Sequence, residues 1–191
     1  MINPKHESMR NRKSVAVLIA FISMSSFFCK KESGGNTLPA ATTNGANTIG
    51  FIVKGEVWRP YYECGFLRNP CGKSSVNVAS TFLNVSFLRE RGKKSSQFFI
   101  TTKDFKTISS TGEKIDSVFA GFDDENYTPD GVGIYNGPLP GSSYKITRYD
   151  TAAQIVSAEF YLILAENRPN ADTIIIKSGR YDFKFNTCLC D

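Results

Sequence analysis

The sequence predicts an all-β fold: a single antiparallel β-sandwich or partly open barrel of about eight to ten strands, following a signal peptide and a flexible tether. Three observations carry this. Aromatic and β-branched residues are plentiful, including 15 Phe and 8 Tyr, and these fit a pleated, half-buried surface. Apolar residues alternate with polar ones in several short runs, most cleanly in IVSAEFYLIL, Ile155 to Leu164. Long runs with helical period are missing. About 160 residues remain after the leader, enough for one domain with a real core.

The leader comes first. Arg10, Arg12 and Lys13 precede an apolar run from Val15 to Phe28, the basic and hydrophobic regions of a secretory signal. Met9 offers a second start directly before them. As a helix the run is roughly 21 Å long, short of the ~30 Å hydrocarbon core, so it reads as a signal over residues 1–28 rather than a permanent span. It ends at Cys29, followed by Lys30-Lys31-Glu32. A cysteine at that edge resembles a bacterial lipobox, in which the thiol is acylated and becomes the first mature residue. Ordinary cleavage after Ser25 or Ser26 is the alternative and would give a free secreted protein. Parity decides between them. With Cys29 acylated, Cys64, Cys71, Cys188 and Cys190 remain, an even set suited to two disulfides in an oxidising compartment. The chain is then expected to be exported and tied by its lipid to the outer membrane, facing the periplasm or the surface.

Losing residues 1–28 removes Lys5, Arg10, Arg12, Lys13 and Glu7, which lowers the net charge from +5 to +2. That gives no case for nucleic acid as a partner. The one histidine, His6, lies in the same segment. The mature chain thus has no imidazole for Ser-His-Asp or Cys-His activation or for a His-ligated metal. No enzyme activity, cofactor or metal is expected.

Residues 29–47 carry the lipidated cysteine and a Gly-, Asn- and Thr-rich tether, and the all-β domain spans 48–191. Thr48 to Val53 is the first strand, with Ile49, Phe51 and Val53 on one face. Lys54-Gly55 turns it into Glu56 to Arg59, stopped by Pro60. Trp58 suits the core better than a ligand platform. Tyr61 to Ser75 is a loop holding Cys64 and Cys71. Val76 to Arg89 forms one or two strands whose phases need a bulge or turn near Thr81 to Asn84. Glu90 to Lys94 turns, and Gln97 to Thr102 and Ile115 to Phe122 are further strands. Asp124, Asn126, Thr128 and Asp130 recur at every second position, as calcium ligands do. However, Pro129 stands where the calcium loop needs glycine, and a solvated hairpin loop is the better reading. Gly131 to Gly141 reads as a Gly/Pro-rich connection, and Ser143 to Arg148 as a short strand. The last hairpin pairs Ile155 to Leu164 with Thr173 to Phe185. Its inward phase shifts at Ser178-Gly179, where a bulge fits, and it is expected at the sheet centre.

Cys188 and Cys190 are roughly 6.5 Å apart if extended, at the edge of disulfide range. Long-range bonds from the Cys64/Cys71 loop to the C-terminal tail are therefore preferred, each worth ~4–5 kcal/mol in the chain-entropy model. A Cys188/Cys190 redox pair and a four-cysteine zinc site are the rivals.

Leu38 to Pro60, with Gly45-Ala46-Asn47-Thr48 before Val57-Trp58, and Ile155 to Phe185, with Ser178-Gly179-Arg180-Tyr181-Asp182-Phe183, resemble the small lipoproteins of Bacteroidetes type, for which no activity is established. The resemblance implies an all-β domain on a lipid anchor and brings no catalytic residues. Asp-Ser/Thr-apolar occurs at Asp116-Ser117-Val118, Asp150-Thr151-Ala152 and Asp172-Thr173-Ile174. It is similar to the O-glycosylation acceptor of exported proteins in such bacteria, making Ser117, Thr151 and Thr173 candidate acceptors. The expected role is a lipid-anchored binding or accessory module whose ligand is unspecified. The alternatives are a carboxylate-based hydrolase using Asp123, Asp124 and Glu125, or a structural part of an envelope assembly.

Overall fold

The computed structural model describes residues 37–60, 74–79, 81–91, 94–105, 115–125, 133–167 and 172–185. They form one antiparallel sheet of ten strands. In chain order these are β1 (Thr48–Val53), β2 (Glu56–Trp58), β3 (Ser74–Val78), β4 (Phe82–Arg91), β5 (Lys94–Lys103), β6 (Val118–Asp124), β7 (Ile134–Gly137), β8 (Ser143–Asp150), β9 (Ile155–Glu166) and β10 (Thr173–Lys184). The order across the sheet is β2-β1-β10-β9-β7-β6-β5-β4-β3, with β8 also paired to β9. The sheet curls into an open half-barrel, in keeping with the sandwich or partly open barrel expected from the sequence.

The curl shows in side chains that are far apart across the sheet yet touch. Phe87 on β4 stacks on Phe183 of β10 at 4.9 Å between ring centroids. Phe51 on β1 meets Phe98 of β5 at 4.7 Å and Phe122 of β6 at 5.8 Å. The inward phases read from sequence are buried: Ile49, Phe51 and Val53 on β1; Val156, Ala158, Phe160, Leu162 and Leu164 on β9; Ile174, Ile176, Tyr181, Phe183 and Phe185 at β10. Trp58 belongs to this core. It is fully buried, stacks on Phe51 at 4.7 Å and donates from Nε1 to Ser96 Oγ at 2.8 Å. A buried indole N–H needs such a partner.

Local choices follow familiar chemistry. Lys54 (φ 50) and Gly55 (φ 83) are both left-handed, the requirement of a type I′ two-residue hairpin. Val76 to Arg89 resolves into two strands. Between them Ala79 N donates to Phe82 O at 2.9 Å, and β4 runs on through Arg91. β9 and β10 each pair on both edges. The β10 register shifts between Ile176 and Gly179, at the bulge the sequence suggested. Gly179 is there because Phe160 is: a Cβ would fall 2.1 Å from its ring. Phe160 is itself held in a stack on Phe98 at 5.4 Å and cannot easily yield. Gly179→Ala should therefore cost about 2 kcal/mol, read as a lowered urea midpoint with unchanged slope.

Two expectations are corrected. Gly131 to Gly141 is not all connection: Ile134–Gly137 forms β7, bridging β6 to the end of β9. The tether does not run freely to Asn47. Pro39 is buried and lies over Gly50, 2.6 Å from where a Cβ would stand, and residues 42–47 are stitched to the outer face of the sheet. The tether composition cannot bury apolar area, but its backbone N–H groups can satisfy a carboxylate, and Asp182 supplies one.

Candidate binding face

The outer face of the sheet has two halves. Over β1, β10 and the first half of β9 it is covered by residues 39–47. Asp182 points outward on β10, yet is only 1% exposed. Its Oδ2 accepts from Thr42 Oγ1 at 2.7 Å, Asn44 N at 3.0 Å and Ala46 N at 3.0 Å. Its Oδ1 accepts from Gly45 N at 2.9 Å and from Ser157 Oγ at 2.6 Å. Burial pushes this carboxyl up, but the bonds from Ser157, Ala46, Thr42 and Gly45 outweigh it and hold its pKa below the ordinary value. Arg148 Nη1 donates to Thr43 O at 2.6 Å, and Lys184 N to Asn47 Oδ1 at 3.0 Å. Asp182 is thus a clasp for residues 42–46.

Over β3 to β7 no described residue covers the outer face. The registers place its side chains in rows. One row runs Asn77–Asn84–Thr101–Phe119 and the next Ser75–Ser86–Phe99–Gly121–Asn136. Phe119 is 51% exposed, and Phe82 (42%) and Ile134 (43%) flank it on the same face. Three of the four large apolar side chains found exposed among the described residues lie here; the fourth, Ile175, is on β10. Phe99 lies flat over Gly121, whose Cβ would fall 2.3 Å from its ring, and meets Phe119 at 5.7 Å. The neighbouring amides and hydroxyls are held in place by one another, two pairs across strands and one along β3. Asn84 Nδ2 donates to Thr101 Oγ1 at 2.7 Å, Gln97 Nε2 to Ser86 Oγ at 3.1 Å and Asn77 Nδ2 to Ser75 Oγ at 3.3 Å.

A shallow notch of about 280 Å³ opens above the β10 bulge. Its outward side chains include Lys145, Glu159 and Arg180, a cross-strand row over β8, β9 and β10. Glu159 sits between the two cations, so the notch presents mixed charge and no concentrated site for an anion. Inside the half-barrel the Tyr144 and Tyr181 hydroxyls lie 2.6 Å apart. Burial raises both phenol pKa values above the ordinary range, so both stay protonated and the pair is a core hydrogen bond.

The acidic run does not assemble as a catalytic pair of neighbours. Asp123 and Asp124 are consecutive on β6, so one side chain faces out and the other in; Asp124 is buried. Glu125 accepts from Ser95 N at 2.9 Å. Burial, then the charges of Glu125 and Asp124, raise the Asp123 carboxyl above its usual value. The rest of the calcium-like loop, Asn126, Thr128 and Asp130, lies outside the described residues. Among the described residues, no group of three or more His, Cys, Asp or Glu side chains is placed to hold a metal.

Cys29, Cys64, Cys71, Cys188 and Cys190 also lie outside the described residues, and so do their proposed lipid and pairing. Ser117 ends a single 3-10 turn before β6 and is half-buried. Thr151 is exposed in the β8–β9 turn, next to Asp150, which pairs with Arg148 at 2.8 Å. Thr173 is exposed at the start of β10 and pairs with Ala165 at the far end of β9. Thr151 and Thr173 therefore stand at opposite ends of that strand and form no common site. The face went unread in the sequence because its side chains come from five strands. Phe99 and Phe119, each out of phase with the buried alternation around it, were the available signal. No family model, curated protein or solved structure matches this chain.

Proposed function

We propose that this protein is a lipid-anchored binding module of a bacterial cell envelope, exported by residues 1–28, held at the outer membrane by an acylated Cys29 and presenting the outer face of β3 to β7 to its ligand. The observation that carries the binding role is the division of the outer surface: one part is covered by residues 39–47, and over β3 to β7 Phe82, Phe119 and Ile134 are exposed. Exposed aromatic and aliphatic side chains set among amides and hydroxyls on one face give a ligand both apolar and hydrogen-bonding contacts. The lack of histidine in the mature chain and the lipobox-like Cys29 support a non-enzymatic, anchored role.

Two measurements test it. In cells fed a clickable palmitate, the parent should be labelled and Cys29→Ala should not; equal labelling, or none in the parent, removes the anchor. Immobilised mature protein should retain a component of envelope or culture fractions that Phe119→Ser does not retain. Equal retention by both, or none by the parent, removes the face as the binding surface.

A further inference from the structure

We infer that the occupant of the β3–β7 face is a neutral polysaccharide lying across the strands. This rests on the reading of that face as the binding surface and names its ligand class. The two central rows carry no charge: Asn77, Asn84, Thr101 and Phe119 in one, Ser75, Ser86, Phe99, Gly121 and Asn136 in the other. Lys103 lies beside Phe82 at one margin, and Asp123 beside Ile134 at the other.

Each alternative occupant asks for something else. A nucleic acid needs cations along its track, and a membrane surface needs an apolar face with basic residues around it. A protein hot spot is an apolar centre ringed by polar residues, whereas here amides and hydroxyls are interleaved with the rings along each row. A sugar ring matches that interleaving. Its axial C–H groups give an apolar face to lie on an aromatic ring, and its equatorial hydroxyls both donate and accept at the edges. The cross-strand bonds leave that capacity open. With one Nδ2 hydrogen given to Thr101, Asn84 keeps its carbonyl oxygen and a second N–H, and Gln97 likewise keeps Oε1 after donating to Ser86. Asn136 Oδ1 reaches over Gly121, 3.3 Å from where a Cβ would be, beside the Phe99 ring. Gly121 lets that ring lie flat instead of standing off the sheet. Five strands at ~4.8 Å spacing make the platform roughly 19 Å wide, room for several linked sugars.

Affinity electrophoresis of the full mature protein through gels containing glucan, mannan, xylan or galactan tests this, with heparin and polygalacturonate as charged probes. At least one neutral polymer should retard the parent. Phe119→Ser should weaken that retardation about tenfold or more, and Asn84→Ala and Asn136→Ala each several-fold. Ile175→Ser, which removes an exposed apolar side chain off the face, should leave it unchanged. Urea denaturation of Phe119→Ser, whose ring is half in solvent, establishes that the variant folds. Retardation by the charged polymers alone, equal retardation of parent and Phe119→Ser, or none by any neutral polymer overturns the inference. In the last case, continued Phe119-dependent retention of envelope material would show a binding face with another class of ligand. Loss of both would remove the face itself.

Discussion

Asp182→Ala should destabilise the protein by about 3–5 kcal/mol. The carboxylate accepts five hydrogen bonds, one from the buried Ser157 hydroxyl and four from part-buried donors, and a donor left buried and unpaired costs ~1–3 kcal/mol. The sum is reduced because residues 42–46 can detach and rehydrate their own N–H groups. Asp182→Asn is the sharper test. The amide is the same size, but its NH₂ must face a backbone N–H whichever way it turns: Gly45 on one side, Asn44 and Ala46 on the other. We expect about 2–3 kcal/mol, with loss of hydrogen-exchange protection at Asn44, Gly45 and Ala46. The pH dependence has a definite sign. A carboxyl whose folded pKa lies below its unfolded value of ~3.9 stabilises the fold above that value. Its contribution is lost as pH falls through the folded pKa. The parent should hold its stability down to about pH 4 and lose it below, and Asp182→Asn should lack that component. A parent and variant with the same urea midpoint at pH 7 would show that the clasp does not stabilise the domain.

Phe51→Ala should cost about 4 kcal/mol. The ring is fully buried and touches four others: Trp58, Phe98, Phe122 and, at 6.2 Å, Phe160. These come from β2, β5, β6 and β9, so the side chain joins strands that the sheet order keeps apart. Its loss removes both buried area and aromatic pair contacts, the latter worth ~0.5–1.5 kcal/mol each. Phe51→Leu keeps most of the volume and should cost less than half as much. Trp58, the one tryptophan, stacks on Phe51 and reports unfolding directly by fluorescence. Equal midpoints for Phe51→Ala and the parent would mean that the curl is held elsewhere.

Much of the strand content could be read from residues because alternation is a local property. Val156 to Leu164 can bury one face whatever lies beside it, and the β10 phase shift at Ser178-Gly179 betrays a bulge without knowledge of Phe160. β7 escaped because Ile-Tyr-Asn-Gly is too short and too weak in strand propensity to stand alone. It is a strand because β6 and β9 flank it. Asp123-Asp124-Glu125 looks like a carboxylate cluster in one dimension. Strand geometry splits Asp123 from Asp124 across the sheet.

The sequence by itself determined an all-β domain, its inward faces and the position of its last bulge, since pleat and burial follow from neighbours two residues apart. Tertiary structure alone decided that the supposed tether docks, because its donors meet Asp182 more than a hundred residues later in the chain. It alone also decided that Phe99 and Phe119 share a surface with amides from other strands. Both depend on which strands pair and in what register, and hydrogen bonds between distant segments carry no local periodicity from which they could be read.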